Sequence, residues 1–460
     1  MAPVALFLCL IFIAWLLVRD RRRCARVSAA LWIPTVLLLI LGSRSVSLWL
    51  EAGVPSSMGN AERSPLDQLF YLSVLVGSFV IASSRRVKWS RLFTANSSIM
   101  LLYLFFAISV LWSGDPAGST KRLLKDFGLL FVISVILSEK QPLEAIRTVY
   151  VRCACVLFPL SVVFIRYFPR MARSFSVEGE QLFTGVTTQK NTLGEIVLVF
   201  SLFLIWDILE TRAVSKKRSW RRIPWDRFVL LLMGLWLLYM SKSSTSLLCL
   251  LIGTALVLSR GRLASRMVNR LVMLGALSLP ALLFFAQEFN SLIAPMVEAL
   301  GRNMTFTGRT DIWNHITSKT VNPLVGAGYW NFWGGKAGLA IGQSMNTIVP
   351  NAHSGYLDIY LDGGVIGLVL LFWMLVACGK RLIANLHVNR CQRLRFAIFI
   401  VVIIYNLSES MYFRLSPLWF TTLLVMIDFP FPKTHAKRAR KPSLDDEAPR
   451  LPKLPEYASQ

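Results

Sequence analysis

The sequence is poor in charged residues. Asp, Glu, Lys and Arg make up 16% of its 460 residues, whereas 55% of the residues are hydrophobic. A soluble domain usually carries about a quarter charged residues. Apolar runs recur along nearly the whole length, and about 20 apolar residues suffice to cross a bilayer as a helix. This composition excludes an ordinary soluble enzyme and predicts one polytopic membrane domain over residues 1–428.

The sequence also lacks the motifs of several common enzyme classes. Its seven cysteines form no CxxC pair and do not have the spacing of a zinc site. There is no DxD motif, no GxxxxGK[ST] phosphate loop and no GxSxG nucleophile elbow. These absences argue against a metal-dependent sugar-nucleotide transferase, a P-loop NTPase and a serine hydrolase.

Basic residues outnumber acidic residues by 50 to 25. They are concentrated in short loops between apolar runs, for example RDRRRCARV at 19–27 and SKKRSWRR at 215–222. If the N-terminus faces outside, the inside loops hold 24 basic residues and the longer outside loops hold 14. Because Lys and Arg are enriched in cytoplasmic loops, this distribution indicates orientation in a membrane and argues against nucleic acid as a partner.

The apolar segments predict an all-α polytopic integral membrane protein of about 12–13 transmembrane helices. The long segment 287–361 is predicted to face outside, and long loops in compact proteins are often functional. The Pro- and Lys-rich segment 429–460 is predicted to be a disordered cytoplasmic tail, in reach of membrane lipids. The predicted helices are 4–18, 29–42, 66–83, 98–112, 123–138, 149–165, 192–209, 227–240, 246–259, 269–286, 362–378, 395–407 and 415–428.

One of four histidines, His353, stands just before an apolar run, in PNAHSGYLDIYLDGGVIG at 350–367. If this segment is helical, His353, Tyr356 and Tyr360 share one helix face, and the glycines that follow permit close helix packing. The imidazole of a histidine can act as a general base near neutral pH. The alternative is a structural histidine at the membrane interface, beside an aromatic belt.

Several short segments on the predicted outside face carry cations. Arg309 lies in FTGRTDIW (306–313), Lys242 in SKSSTS (241–246), and Lys190 with Asn191 in GVTTQKNTLGE (185–195). A guanidinium suits phosphate oxygens, and a helix start attracts anions through its free N–H groups. Acidic counterparts are sparse on this face, so the pattern predicts an anionic substrate at the outer leaflet. The alternative is pairing with a neighbouring carboxylate or a lipid headgroup.

Taken together, these segments resemble the O-antigen ligase and polysaccharide polymerase superfamily of bacterial membranes, and are most similar to exopolysaccharide polymerases of the ExoQ type. The resemblance covers 43–428 and does not separate polymerase from ligase. The matching stretches are SRSVSLWL (43–50), LWSGDPAGSTKR (111–122), TTQKNTLGE (187–195), SKSSTS (241–246), GRTDIW (308–313), NPLVGAGYWNFW (322–333), NAHSGYLDIYLDGGVIG (351–367) and NLSESMYFR (406–414).

The resemblance implies a metal-independent glycosyltransferase without a cofactor, with a GT-C-like fold, in the inner membrane of a bacterium. Its donor would be an oligosaccharide on undecaprenyl diphosphate at the periplasmic face. The glycan would pass to a sugar hydroxyl of another lipid-linked repeat unit, in exopolysaccharide biosynthesis. Expected protein partners are a flippase and a chain-length regulator.

The resemblance also implies roles for individual residues. His353 matches the family's loop histidine and Arg309 the loop arginine, which makes both catalytic candidates. Lys242 stands where ligases commonly have an arginine, and a lysine neutralises a phosphate without gripping it bidentately. The expected substrate-binding residues are Lys242, Arg122, Lys190, Asn191, Tyr356 and Glu409. Glu409 has an alternative role, as a partner of Arg414.

Three other functions remain open at this point. The first is an O-antigen ligase that transfers glycan to a lipid core. The second is a transporter or flippase for lipid-linked sugars, and the third is an assembly subunit without activity. A flippase needs charged groups along a path through the membrane, whereas the notable polar residues here lie at its outer boundary.

Overall fold

The protein is represented by a computed structural model, which describes residues 1–23, 27–50, 64–175, 179–214, 224–259, 265–285, 312–313, 315–316, 321–345, 349–386 and 390–429. The predicted cytoplasmic tail beyond Phe429 lies outside these ranges. So does the first part of the predicted periplasmic loop, 287–311, which contains Arg309.

The described chain is almost entirely helical, which confirms the predicted all-α membrane fold. Each of the thirteen predicted apolar segments coincides with or overlaps a helix. Short 3₁₀ turns occupy Ala29–Leu31 and Val110–Trp112. The helices and the two strands of a small antiparallel hairpin are α1 (Ala2–Arg23), α2 (Trp32–Leu41), α3 (Val46–Leu50), α4 (Pro65–Ser84), α5 (Trp89–Ala95), α6 (Ser97–Ser109), α7 (Pro116–Leu137), α8 (Pro142–Tyr167), α9 (Pro169–Ala172), β1 (Arg173–Phe175), β2 (Gln181–Phe183), α10 (Lys190–Val214), α11 (Trp225–Ser241), α12 (Ser244–Leu258), α13 (Arg266–Phe285), α14 (Asn331–Gly334), α15 (Lys336–Ser344), α16 (Gly355–Asn385), α17 (Arg390–Tyr405) and α18 (Pro417–Met426).

By length and composition, five of the described helices can cross a membrane, or six if α5 and α6 form one broken span bent by 95°. Three shorter apolar helices, Ala29–Leu41, Ser244–Leu258 and Pro417–Met426, accompany them. The predicted number of 12–13 crossings stays a prediction. The five long segments are Ala2–Arg21, Pro65–Ser84, Pro142–Tyr167, Lys190–Arg212 and Gly355–Asn385.

Two long helices, α8 and α10, lie in the middle of the bundle. Their most apolar windows are 78% and 83% buried within the protein, against 17% for α1 and 22% for α4. A helix that is apolar on all sides can be buried on all sides, whereas α1 and α4 turn large side chains such as Phe7 and Leu69 outward. The outward faces of α1 and α4 are therefore available for contact with lipid.

Contacts between loops divide the molecule into two ends, each of which holds loops that are predicted to lie on the same side of the membrane. On the predicted inside, Arg85 pairs with Glu139, and Arg381 donates to the Ala95 carbonyl. On the predicted outside, Asn191 donates to Glu409, which belongs to a loop more than two hundred residues further along the chain. The start of α10 and the loop that carries Glu409 thus meet at this end of the molecule, where the candidate site lies.

The inner end holds a buried ion cluster around Arg227, whose side chain is 1% exposed. The Arg227 guanidinium contacts Asp20 at 2.8 Å, Asp207 at 3.3 Å, and the neighbouring Asp226. Arg152 approaches Asp20 from α8, at 3.7 Å. A buried charge needs a partner to offset its desolvation, and this cluster supplies several while joining α1, α8, α10 and α11.

Helix α16 is broken at Gly364, which has a φ of +61° inside the helix. The turn 322–328 lies against the break. Ala327 and Gly328 donate to the Leu361 and Asp362 carbonyls, while Val365 donates to the Pro323 carbonyl, all at 2.8–2.9 Å. Backbone groups freed by a broken helix must find partners inside a membrane protein. This turn provides them, and it explains Gly326 in the NPLVGAG stretch and Gly364 in the DGGVIG stretch.

The expectation of close helix packing at the glycines of α16 therefore needs correction. A Cβ atom on Gly364 would lie 2.3 Å from the Leu324 backbone, so Gly364 serves the turn and not a helix pair. Gly363 and Gly367 do face a neighbouring helix, because a Cβ atom added to them would lie 3.0 and 3.5 Å, respectively, from Phe105 of α6. The helix also starts at Gly355, seven residues before the predicted span.

Candidate functional site

His353 lies at the outer end of the molecule, two residues before α16 begins. Its φ is +50°, and its backbone N–H donates to Asn351 Oδ1 at 3.0 Å. Ser354 is the N-cap of α16, because its hydroxyl accepts from the Leu357 N–H. The expectation that His353, Tyr356 and Tyr360 share one helix face is wrong, since His353 is outside the helix in a left-handed conformation.

A carboxylate from a distant loop faces the imidazole of His353. Oε2 of Glu409 lies 3.6 Å from His353 Nδ1, slightly beyond hydrogen-bond distance. The other carboxylate oxygen, Oε1, accepts a 2.8 Å hydrogen bond from the Asn191 side chain. Nδ1 is buried, yet the His353 side chain is 30% exposed, so its exposed surface belongs to other atoms of the side chain. Three predicted site residues, His353, Asn191 and Glu409, are thus brought together.

The loop that carries Glu409 is fixed against the start of α16. The Gly355 N–H donates to the carbonyls of Asn406 and Glu409, at 2.9 and 3.1 Å. The Asn406 side chain in turn accepts from the N–H groups of Met411 and Tyr412. A Cβ atom at Gly355 would lie 2.1 Å from Asn406 Oδ1. Only glycine allows this close approach, which sets the separation between His353 and Glu409.

Asp358, on the first turn of α16, supports the His353 loop from the other side. Its Oδ1 accepts from the Ala352 N–H at 2.9 Å and from Trp333 Nε1 at 2.8 Å. Its Oδ2 accepts from Arg414 Nη2 at 2.8 Å. Arg414 therefore pairs with Asp358 and not with Glu409, which corrects the alternative role expected for Glu409.

Tyr356 is part of the core and does not face the site. It is 2% exposed, its hydroxyl donates to the Ile403 carbonyl at 3.0 Å, and its ring stacks on Phe372. Tyr412 donates to the Tyr356 hydroxyl at 3.2 Å. Contact between Tyr356 and a substrate would require this packing to open, so we correct its expected role to that of a residue that anchors α16.

Lys242 ends α11 in a left-handed conformation, with a φ of +49°. Its exposed ammonium pairs with Glu180, which follows β1 in the hairpin segment. The hydrogen bond and the charge of Lys242 hold the pKa of Glu180 below its usual range, and Lys190 at the start of α10 contributes in the same direction. The charges of Lys242 and Lys190 therefore act in the same direction on this carboxylate.

Acidic residues are less sparse at this surface than expected from the sequence. Glu180 pairs with Lys242, Asp358 pairs with Arg414, and Glu409 faces His353. Each acid comes from a segment remote in sequence from its partner, which hides the pairing from inspection of the chain. Arg122 of α7 lies over the Trp330 ring, with its guanidinium carbon 4.9 Å from the ring centroid. Arg309 lies outside the described residues.

Backbone strain is concentrated at this end of the molecule. Among the described residues, five that are not glycine have a positive φ, and four of them lie on the predicted outside. A bulky residue in this conformation costs about 1–3 kcal/mol and is often retained at functional sites. Two of the four, Lys242 and His353, are predicted site residues. The five are Arg86, Lys242, Trp330, His353 and Phe413.

The arrangement combines a proton acceptor with cations and offers no metal site in the described part of the chain, where no group of three or more His, Cys, Asp or Glu side chains could hold an ion. A carboxylate that faces Nδ1 of an imidazole favours the tautomer with the proton on Nδ1 and stabilises the imidazolium. The other ring nitrogen can then take a proton from a hydroxyl. The cations nearby suit an anionic leaving group.

Part of the chain matches a known protein family. Residues 228–372 match the family model of O-antigen ligase. The matched stretch runs from α11 to the middle of α16 and contains Lys242, Arg309 and His353. A search among curated proteins found no match to the chain. The match over 228–372 is a similarity of this part of the chain to O-antigen ligases, and it supports a relation to the superfamily of these ligases and polysaccharide polymerases.

Proposed function

We propose that the protein is a membrane glycosyltransferase that joins undecaprenyl diphosphate-linked oligosaccharide repeat units into an exopolysaccharide at the periplasmic face of the inner membrane. The observation that carries the proposal is the His353–Glu409 pair at the outer end of the molecule, the same end that holds Lys242 and Lys190. The O-antigen ligase family supports transfer of a lipid-linked glycan. The choice of polymer and the periplasmic orientation belong to the proposal.

The transfer would make one bond and break one. A hydroxyl of the acceptor sugar attacks the anomeric carbon of the donor glycan and forms the new glycosidic bond. The bond from that carbon to the phosphate oxygen breaks, and undecaprenyl diphosphate leaves with the electron pair. The hydroxyl proton passes to the nitrogen of His353 that does not face Glu409, and later returns to water. A general base of this kind contributes about 10²–10⁴-fold to a rate.

The cations would stabilise the departing diphosphate. Lys242 lies on the exposed surface, where a phosphate can replace Glu180 as its partner. Arg309 is expected to add a bidentate contact, as its position in the GRTDIW stretch suggests. Loss of one group that stabilises developing charge commonly lowers a rate about 10²–10³-fold. We therefore assign Lys242, Lys190 and Arg309 to the donor diphosphate.

The molecule on which the transferred glycan appears distinguishes a polymerase from a ligase. Purified protein in liposomes would receive the cognate lipid-linked repeat unit, with or without a lipid A-core acceptor. A polymerase lengthens the lipid-linked glycan without the core acceptor. Glycan that appears only on the lipid core, with no elongation in its absence, would show a ligase and overturn the proposal.

A further inference from the structure

A second group of cations lies at the outer end, around the indole of Trp330. The guanidinium carbon of Arg414 is 4.4 Å from the ring centroid, and that of Arg122 is 4.9 Å away. Arg122 comes from α7, whereas Arg414 comes from the turn before α18. We call Arg122, Arg414 and Trp330 the Trp330 cluster. Like charges repel, so two guanidinium groups around one ring create a place that favours an anion.

The parts of this cluster are held in place. Trp330 has a φ of +56°, and its indole N–H donates to the Phe413 carbonyl at 3.2 Å. Among the described residues, the side chain of Arg414 has one hydrogen bond, from Nη2 to Asp358, although a guanidinium carries five N–H donors. Asp358 offsets the charge of Arg414 but accepts a hydrogen bond from only one of its guanidinium nitrogens. The remaining N–H groups can therefore serve the oxygens of a ligand.

The predicted orientation of the protein in the membrane does not explain why cations lie at this end of the molecule. The first three turns of α7 carry Lys121, Arg122 and Lys125, at the end of the helix that is predicted to face outside. Basic residues are enriched on the opposite, cytoplasmic side of membrane proteins. Lys125 lies over the Tyr71 ring, 4.9 Å from its centroid, so a second cation of this helix is also held on an aromatic face. A ligand with phosphate groups at the outer boundary accounts for the two cations that are held on aromatic faces, Arg122 and Lys125.

The Trp330 cluster is distinct from the cations assigned to the donor. Asn191, next to Lys190, donates to Glu409 and so links the His353–Glu409 pair to the Lys190 and Lys242 side. Asp358 accepts from Ala352, next to His353, and from Arg414, which links the same pair to the Trp330 cluster. The proton acceptor is therefore connected to two separate cationic groups, through two different carboxylates.

We infer that the Trp330 cluster is a second diphosphate-binding site, which holds the lipid-linked acceptor while Lys242 and Lys190 serve the donor. The inference rests on the proposed function. In polymerisation both substrates carry a polyprenyl diphosphate. The bond between diphosphate and glycan breaks in the donor and stays intact in the acceptor. A ligase needs a single diphosphate site, for its donor. A guanidinium packed on an indole presents its N–H groups in a fixed plane, which suits phosphate oxygens.

The experiment counts bound diphosphates. Purified full-length protein in detergent would be titrated with decaprenyl diphosphate, which carries no glycan. We expect two molecules per chain for the wild type and one for Arg122→Gln, with affinity at the lost site about 10-fold or more weaker, as for a lost hydrogen bond between charged groups. Arg122→Lys should fall between the two. Lys121→Gln is the matched control, because Lys121 is exposed on the same helix turn, and should still bind two.

Two results would overturn the inference. One is a single bound diphosphate in the wild type, with Arg122→Gln unchanged. The other is displacement from the second site by phosphatidylglycerol at equal concentration, which would identify a phospholipid headgroup site. Elongation of a lipid-linked glycan by the same preparation separates the two proposals. An active protein with one diphosphate site would refute the second site alone, whereas no binding and no elongation would refute both.

Discussion

Nδ1 of His353 lies 3.6 Å from Oε2 of Glu409, although the two residues belong to segments on either side of the long helix α16. The hydrogen bonds of Gly355 to Asn406 and Glu409 hold the two segments together at the start of that helix. Catalytic hydrogen bonds are often long in the absence of substrate and tighten in the complex. A small movement of either side chain would complete a histidine–carboxylate pair.

This pair should behave as one unit in kinetics. His353→Ala is expected to lower the elongation rate about 10²–10⁴-fold. Glu409→Gln keeps the shape of the side chain but cannot stabilise an imidazolium, so it should also lower the rate, by a smaller factor. Because the two residues act together, the double variant should be little worse than His353→Ala. Initial rates for the four proteins measure this, and fully multiplicative effects would contradict a shared role.

Asn191 should affect the elongation rate through its hydrogen bond to Glu409. Its amide donates to Glu409 Oε1 at 2.8 Å, and Asn191→Ala removes that bond. Asn191→Asp instead places a second carboxylate at the same position, where like charges repel. We expect Asn191→Asp to lower elongation more than Asn191→Ala does, at equal protein levels. An equal loss in the two variants would mean that Asn191 acts on the substrate directly.

Glu180 should compete with substrate for Lys242. The pair is exposed, so Glu180→Gln is expected to leave the thermal midpoint unchanged and to lower KM for the lipid-linked donor by about two- to fivefold. The depressed pKa of Glu180 means that its carboxylate is charged above that pKa and that the pair is lost as the pH falls through it. Lys242→Gln should raise KM. An increase of KM in Glu180→Gln would show that Glu180 helps to bind substrate.

The inner ion cluster should govern stability and not chemistry. Arg227→Leu leaves Asp20, Asp207 and Asp226 without their shared partner. Removal of one member of a buried ion pair commonly destabilises a protein by about 3–5 kcal/mol. We expect a lower thermal midpoint in detergent, while the protein that remains folded keeps its KM. Arg19→Leu is the control, because Arg19 is more exposed and lies 3.8 Å from Asp226.

Much of the fold follows from local sequence, whereas the site does not. Apolar runs locate the helices because a segment inside a membrane must satisfy its backbone hydrogen bonds within itself. This requirement depends on the local sequence alone. His353 can be singled out as one of four histidines, and Lys242 as a charged residue in a short turn between two apolar segments. Their partners cannot, since Glu409 and Glu180 come from distant loops. The burial of Tyr356 and the left-handed backbone of His353 depend on packing that periodicity does not show.

The Trp330 cluster also could not be predicted from the sequence. The sequence indicates Arg122 as a cation on the outside face, but nothing nearby in the chain points to Trp330 or Arg414. The three residues come from segments that are separated by about 80 to 290 residues and meet only in the folded bundle. A tryptophan in a left-handed turn is visible in the structure alone.

The proposed function depends above all on elongation of a lipid-linked glycan that requires His353. A liposome assay would follow glycan length by gel, with purified protein and the cognate undecaprenyl diphosphate-linked repeat unit. His353→Ala would run beside wild type, with His315→Ala as the matched control from the same predicted loop. We expect long glycans from wild type and His315→Ala and none from His353→Ala. Equal glycan lengths with and without His353 would refute the role of this histidine as the base.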